Sequence, residues 1–541
     1  MREWIANLPL ADPASSAYLL RNALLRFSNE TLKANERLRL LRVLQPIADR
    51  VAEGLRQKIR NHPLPLSQSG SETANLLRGL HRELANGYKQ VIAAHDSSKR
   101  PGNLTKKELL AALQGAMAYL AELLFDYYRI YQQPEGGIWE DLHQLYRYGE
   151  ERHLLDTPLP PLTTAAGAET SLKRLYLRTL LLALTSPSRL RQDELEWVHD
   201  RLHRWVSHCE MLIPPVHESG LGVLTIDLLA DEPATQPAPG EQIAADRYRV
   251  LTTIDLLPIL RQELIQAHEQ GSVEPTRDGG ALSPDIYKRL TQAWSSAPQR
   301  SFSRSERTSE LQVTIGLASI HHFVTLGDVP KGRTTETLEL VPEDHPRSPG
   351  EYVIESRPGD IWSLAYQSPG EADGKSGSMR SPEAHTCGTI NESAGGYCLT
   401  THRESNLRAR VGELIAVHRD AASAPWEIGV IRWLRGGDEE WLEFGVQMIA
   451  PYARAVEIAD IAIREGVSKW QPALLLPEVR AMRQPVSLVV PQASHAAGDS
   501  LLLRTPLGRA GITITRLLES TGSFALYQFT ADAGVLEQLD L

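Results

Sequence analysis

The sequence has 541 residues, of which 42% are hydrophobic and 23% charged, and this ordinary globular composition fits about three or four domains. Its 57 basic and 67 acidic residues leave a net charge of −10, which argues against a general binder of duplex nucleic acid. A small anionic ligand is still compatible with this charge, because it needs only a local cluster of arginines.

The cysteines and the N-terminus bear on the cellular compartment. Cys209, Cys387 and Cys398 form no CxxC pair, so the sequence predicts neither a disulfide scaffold nor a structural zinc site. The N-terminal segment has charged residues and prolines where the apolar core of a signal peptide would lie. No apolar run reaches the roughly 18 residues that a membrane span needs. We therefore expect a cytoplasmic protein with no transmembrane segment, metal or other cofactor.

The first part of the chain, 1–297, is predicted to form an all-helical domain. In 34–59 and 104–131 the apolar residues recur about every 3.6 residues, the period of a helix with one buried face. Thr105 lies three residues before Glu108 and predicts a capping box at the start of the second of these helices. A helical domain of this kind can dock a protein partner. The remaining segments with a helical pattern are 170–186, 192–209, 253–269 and 284–296.

From residue 298 the pattern changes to short alternating strands bounded by turn residues, which predicts an antiparallel β-barrel over 298–460. A long polar insertion interrupts it at about 331–386, and a small β module is expected over 461–541. The run 311–326 fits a strand, which would place His321 and His322 on opposite faces and prevent them from sharing a metal. The predicted fold class is therefore α+β.

Two short motifs stand on either side of the insertion. Arg300 and Arg304 form an R-x-x-x-R pattern, and Arg307 follows closely. Asn391, Ser393 and Gly396 have the spacing N-x-S-x-x-G. Each pattern alone is common by chance, but their order and their attachment to predicted strands make the combination informative.

Together these two motifs resemble the PilZ family, whose members carry them in this order around the first strands of a β-barrel. The segments 412–419, 426–435 and 443–449 also resemble barrel strands of that family, so the resemblance covers about 298–455 without the insertion. It implies that the barrel binds the bacterial second messenger cyclic di-GMP. The site that it implies comprises Arg300, Arg304, Asn391, Ser393 and Gly396, with Arg307 and Gly395 as further candidates.

The residue types suit this ligand, which offers two phosphates and two guanines. The planar fork of an arginine grips phosphate oxygens or the O6 and N7 edge of guanine, and it also stacks on a purine face. Asn391 can present both a donor and an acceptor to a guanine edge, and Ser393 can bond to the ligand or fix the turn. Gly395 and Gly396 allow the backbone to approach closely and to adopt positive φ.

These observations favour a cyclic di-GMP receptor in which the ligand binds at the interdomain junction and orders 300–307. The ordering would change the angle between the helical domain and the barrel and thereby alter a partner surface. The alternative is a PilZ-like scaffold that binds no nucleotide, in which the arginines belong to a solvated linker and 391–396 is a plain turn. The unusually long separation of the two motifs favours this alternative. An enzyme is not expected, since no nucleophile elbow, phosphate loop or paired catalytic carboxylates occur.

Overall fold

A computed structural model describes most of the chain in separate stretches. The described ranges are 2–97, 104–160, 162, 170–215, 220–236, 243–269, 285–295, 305–306, 309–327, 382–393, 395–419, 424–436, 441–460, 470–479, 484–491, 495–505 and 508–531. Arg300, Arg304 and Arg307 lie outside these residues, as does the insertion up to residue 381.

The N-terminal half is helical, as predicted. Its longest helices pack side by side around one apolar core. Thr105 caps one of them in the expected capping box, because its hydroxyl accepts from the Glu108 amide at 3.2 Å and the Glu108 carboxylate accepts from the Thr105 amide at 2.8 Å. The helices are α1 (Arg2–Ala6), α2 (Pro13–Asn29), α3 (Ala34–Ile59), α4 (Gln68–Asp96), α5 (Lys106–Arg129), α6 (Ile138–Glu151), α7 (Leu172–Leu184) and α8 (Gln192–Trp205).

Helix α5 is long and apolar enough to meet the length and composition criteria for a membrane span. However, 72% of its most apolar 18-residue window is buried inside the protein. Its neighbour α4 packs along it extensively, and Tyr88 of α4 packs directly on Gly115 of α5. The apolarity of α5 is therefore that of a central core helix.

The region 210–295 corrects the prediction of an all-helical first domain. It contains a three-stranded antiparallel sheet in the order β1–β3–β2, flanked by two helices. The short apolar run near residue 224 forms the middle of β2, where side chains are buried on both faces. The elements are β1 (Glu210–Leu212), β2 (Val223–Asp227), β3 (Tyr248–Thr252), α9 (Leu256–Glu269) and α10 (Asp285–Ser295).

The predicted barrel is present. Six antiparallel strands close it in the order β5–β8–β9–β10–β7–β6, because β6 pairs with β7, and the short β4 adds to the edge of β6. Its strands are β4 (Ser305–Glu306), β5 (Glu310–Ile315), β6 (His385–Ser393), β7 (Gly396–His402), β8 (Leu414–His418), β9 (Glu427–Gly436) and β10 (Trp441–Ala450). We call this the middle barrel.

The strand predicted over 311–326 is wrong in its second half. After β5 the chain turns at Gly316, where φ is +90°, and continues as helix α11 (Leu317–Gly327). Leu317, Ile320 and Val324 bury one face of α11, and their spacing of three to four residues is that of a helix. His321 Nε2 donates a hydrogen bond to the Val456 carbonyl at 3.1 Å, whereas His322 is exposed.

The C-terminal module is itself a closed barrel of six antiparallel strands in the order β11–β12–β13–β16–β15–β14. Its first strand is Arg454–Asp460, so the boundary between the barrels lies before Arg454 and not after residue 460 as predicted. Its strands are β11 (Arg454–Asp460), β12 (Gln471–Leu476), β13 (Ser487–Val490), β14 (Ser500–Thr505), β15 (Gly508–Ser520) and β16 (Ala525–Ala531).

The three parts of the chain pack on one another. Leu64, in the loop between α3 and α4, forms a β-bridge with Ala409 of the middle barrel. The Gly436 amide donates to the Tyr131 carbonyl at 2.9 Å, so a second segment of the helical half contacts the same barrel. The interior of the middle barrel is continuous with the helical core, and a separate apolar cluster joins the two barrels and α11.

Candidate functional site

Two segments that are distant in sequence pair with each other at β6: the two residues of β4, which follow the first motif, and the end of β6, which carries the second. Ser305 pairs with Glu392 and Glu306 pairs with Asn391, so β4 runs antiparallel along the end of β6. Ser305 is the residue that follows Arg304, and Asn391 opens the N-x-S-x-x-G motif. The chain between Arg304 and Arg307 therefore lies beside the second motif, on the same edge of β6 that β5 occupies further along.

The N-x-S-x-x-G residues form the tight connection from β6 to β7. Ser393 pairs with Gly396, and its hydroxyl donates to the Gly396 carbonyl at 3.3 Å. The Gly395 carbonyl accepts from the Met448 amide of β10 at 3.0 Å. A Cβ on Gly396 would lie 1.9 Å from the Val446 carbonyl oxygen, and φ there is +153°. Glycine at this position is therefore a structural requirement of the barrel, since β10 passes directly against the turn.

Asn391 faces the outside of the middle barrel. Paired residues of antiparallel strands share a face, and Asn391 pairs with Cys398, which itself pairs with Gly445. The neighbouring Tyr397 and Leu399 point into the barrel core, so this row points outward. Asn391 and Ser393 are both half-buried there.

Trp433 completes the outward row. It pairs with Gly445, and a Cβ on Gly445 would lie 1.8 Å from the indole nitrogen of Trp433. The half-buried indole thus lies flat across β10 in the space that any other residue at position 445 would fill. The row consequently carries the Trp433 ring and the Asn391 amide on one outward surface, with β7 and β10 between their strands.

A polar cluster lies at the inner mouth of the same barrel, directly behind the motif. Arg419 donates to the Glu392 carboxylate at 2.5 Å and to the Tyr397 hydroxyl at 2.7 Å. The Tyr397 hydroxyl in turn donates to Glu427 at 2.8 Å. Glu392 is the residue between Asn391 and Ser393, so this cluster anchors the motif from inside the barrel. We call these four residues the mouth cluster.

The electrostatics of the mouth cluster follow from this geometry. The hydrogen bond to Glu392 raises the pKa of the Arg419 guanidinium above its usual value. Burial, reinforced by the hydrogen bond to Glu427, raises the pKa of Tyr397 to about 12. Arg419 is thus a permanent cation and Tyr397 a neutral donor at physiological pH. Sequence reasoning missed these residues, because no short motif links 392, 397, 419 and 427, and only the strand register brings them together.

Other features of the described residues lie away from this surface. Two cavities of about 290 and 390 Å³ share Asn86 and open on the helical half. Within the described ranges no group of three or more His, Cys, Asp or Glu residues is arranged to hold a metal ion. The three cysteines are buried. The candidate site is therefore the outward face of the middle barrel around the N-x-S-x-x-G turn, which we call the motif surface. It includes Asn391, Ser393, Gly395 and Gly396.

Comparison with known proteins gives three consecutive family matches. Residues 1–215 match the N-terminal domain of the cyclic-di-GMP receptor FimW, residues 223–335 and 349–455 match its middle PilZ domain, and residues 458–532 match its C-terminal β-barrel domain. The middle match begins upstream of the predicted start of the barrel at 298 and includes the β2–β3 region. Together the matches cover most of the chain.

One relative matches over almost its full length. The cyclic-di-GMP receptor FimW of Pseudomonas aeruginosa is 24% identical over 562 aligned positions, which cover 98% of this chain and 90% of that protein. A comparison with solved structures found no significant match.

Proposed function

This chain belongs to the FimW family, whose middle domain is a PilZ domain, and on that premise we propose that it is a receptor for cyclic di-GMP. The ligand would bind on the outer face of the middle barrel, between the R-x-x-x-R segment and the N-x-S-x-x-G turn. The protein would act in the cytoplasm, as a receptor and not as an enzyme.

The observation that carries this proposal is the pairing of β4 with β6. Ser305 and Glu306 lie opposite Glu392 and Asn391, despite the long insertion between the two motifs. The two residues that follow the first motif therefore lie beside the second motif despite the insertion, and long insertions into surface loops carry only a small entropic cost. This pairing supports a receptor over the alternative, a scaffold that binds no nucleotide.

Each motif residue has a chemical task in the proposed complex. Arg300 and Arg304 would grip the phosphates and guanine edges in bidentate fashion, with Arg307 as a further contact. Asn391 would read a guanine edge from the outward row, and Trp433 offers a neighbouring ring on which a base can stack. Ser393, Gly395 and Gly396 would keep the turn flat enough for the ligand to approach the backbone.

The signal would reach a partner through the contacts between domains. The R-x-x-x-R segment lies in the chain between α10, which packs on α7 and α9, and β4 of the middle barrel. Closure of this segment over the ligand would pull on both ends and favour one arrangement of the helical half relative to the barrel. A protein partner that recognises only that arrangement would then respond to the nucleotide.

Calorimetric titration of the full-length protein with cyclic di-GMP tests the proposal, with GTP as a control nucleotide. Wild type is expected to bind in the micromolar range or tighter, and the Arg300→Ala/Arg304→Ala and Asn391→Ala variants are expected to lose most of that affinity. Lys288→Ala, on the exposed side of α10, is the matched control and should bind as wild type does. Folded wild-type protein that releases no heat would reject the receptor and support the scaffold. Small-angle scattering with and without ligand would then test the domain movement.

A further inference from the structure

A chain of polar contacts leads from the N-x-S-x-x-G turn to the C-terminal barrel. It starts at Gln447 of β10, which pairs directly with Gly396. Val446 points into the core of the middle barrel, so Gln447 lies on the outward face together with Ser393 and Gly396. Gln447 is exposed, so its side chain borders the outward surface beside the turn.

Arg432 holds Gln447 in place. Its Nε donates to the Gln447 side-chain oxygen at 2.7 Å. Arg432 sits at the bulge where the register of β9 and β10 shifts, which turns its side chain toward the outward face beside Trp433. The guanidinium is thus placed next to the motif surface although it belongs to neither motif.

The other edge of the Arg432 guanidinium is bound by the C-terminal barrel. Its two terminal nitrogens donate to the two oxygens of Glu519 in β15, one of them at 2.9 Å. The side chains are only 34% and 21% exposed, so this bidentate pair is partly shielded from solvent. Glu519 therefore fixes the orientation of the Arg432 guanidinium, and Arg432 fixes the orientation of the Gln447 amide.

The strand end that carries Glu519 also contacts the helical half. The Thr521 carbonyl accepts a hydrogen bond from Arg191, which precedes α8. A Cβ on Gly412 of the middle barrel would lie 3.2 Å from the Thr521 side chain, so all three parts of the chain meet at this turn. A change in the position of Glu519 would consequently alter contacts with both the helical half and the motif surface.

We propose that Arg432 is a positioning residue for the ligand and that Glu519 makes the C-terminal barrel part of the receptor's binding site. This inference rests on the proposed binding of cyclic di-GMP to the middle barrel. Glu519 orients Arg432, Arg432 orients Gln447, and Gln447 sets the border of the surface above Gly396. Ligand binding at that surface is then linked to the turn at which the helical half and the two barrels meet.

The test is a double-mutant cycle on full-length protein with Arg432→Ala, Glu519→Gln and the combined variant, titrated with cyclic di-GMP. Each single variant should weaken binding by about 5-fold or more, the lower range of typical coupling between sites. The combined variant should lose no more affinity than the single variant that binds less tightly, because both changes break the same contact. Arg516→Ala, on an exposed part of the same strand β15, is the control and should bind as wild type does.

Two further measurements separate positioning from a loss of folding. The exchanged pair Arg432→Glu/Glu519→Arg should recover part of the affinity, which a merely destabilised barrel would not do. Hydrogen exchange should show that cyclic di-GMP protects the backbone of 518–523 in wild type but not in Glu519→Gln, an isosteric change that keeps the fold. Wild-type affinity in both single variants would overturn this inference alone. Absence of binding by wild type would overturn the proposed function and this inference with it.

Discussion

The two barrels have the same closure and different surfaces. Each is a ring of six antiparallel strands, but the interior of the C-terminal barrel is an apolar cluster of its own, whereas the middle barrel shares its core with the helical half. The middle barrel also contains the mouth cluster and has glycines at positions where a neighbouring group occupies the Cβ space. Strand closure therefore supplies the scaffold of both barrels, and a few exceptions to apolar packing distinguish the surface that we propose binds the ligand.

The largest expected difference between the barrels is at their glycines. Gly396→Ala would place a Cβ 1.9 Å from the Val446 carbonyl oxygen, and a backbone atom of a paired strand cannot move away cheaply. We expect the middle barrel to lose about 3 kcal/mol of stability. Gly511→Ala in β15 meets nothing within 4 Å and should change stability by less than about 0.5 kcal/mol. Hydrogen exchange of peptides from each barrel measures both; equal effects would contradict the role assigned to Gly396.

A smaller difference is expected at the arginines. Arg419→Ala would leave Glu392 and Glu427 around Tyr397 without their cation, at a cost of about 1–2 kcal/mol because solvent screens a side chain that is 39% exposed. Arg504 pairs with Glu457 on the outside of the C-terminal barrel, and Arg504→Ala should cost less than about 1 kcal/mol. Chemical unfolding, monitored by hydrogen exchange in peptides from each barrel, measures the loss of stability in both variants. A larger loss for Arg504→Ala would show that the mouth cluster does not anchor the motif strand.

The sequence predicted what depends on local patterns. Helical periodicity and the capping box at Thr105 gave the helical half, and alternation and turn residues gave the middle barrel. Helix α11 was missed because the period-two alternation of β5 continues to Leu317, the first residue of the helix, and so favours a longer strand. The small sheet β1–β3 was missed because its short strands are separated by long connections, which weakens any hairpin signal.

The candidate site was predictable only in part, for a similar physical reason. Asn391, Ser393 and Gly396 stand close together in sequence and could be recognised as one motif. Trp433, Arg419 and Arg432 reach the same region only through strand register and a bulge, which no pattern in the sequence specifies. The insertion suggested that the two motifs might not meet, and only the pairing of β4 with β6 brings their strands together.

Substitutions in the outward row of the middle barrel are expected to affect binding more than folding. Gly445→Ala would displace the Trp433 indole, which can swing outward because it is only half-buried. If a base stacks on this ring, affinity for cyclic di-GMP should fall by about 5-fold or more, the effect of losing roughly 1 kcal/mol of stacking. Trp433→Ala should weaken binding to the same degree, and the double variant should add nothing. Unchanged affinity in all three would remove Trp433 from the proposed site.

The effect confined to the narrowest range of conditions is the dependence of the middle barrel on alkaline pH. The pKa of Tyr397 is raised to about 12, above the value near 10 of an unfolded tyrosine. A folded-state pKa above the unfolded one contributes stability that is fully present below pH 10 and is lost as the pH rises through 12. Tyr397→Phe removes this contribution, so its unfolding midpoint should fall less than that of wild type between pH 10 and 12.

The pH contrast also sharpens the comparison of the two barrels. Tyr527 in the C-terminal barrel is raised in pKa by burial too, but its hydroxyl bonds to the His495 carbonyl and not to a carboxylate. Ionising Tyr397 places a phenolate against Glu427 and removes the proton that joins them, so the mouth cluster loses a bond and gains a repulsion. Ionising Tyr527 sacrifices one bond to a neutral group. We therefore expect the alkaline loss to be greater in exchange peptides of the middle barrel than in those of the C-terminal barrel, and Tyr397→Phe to abolish that difference.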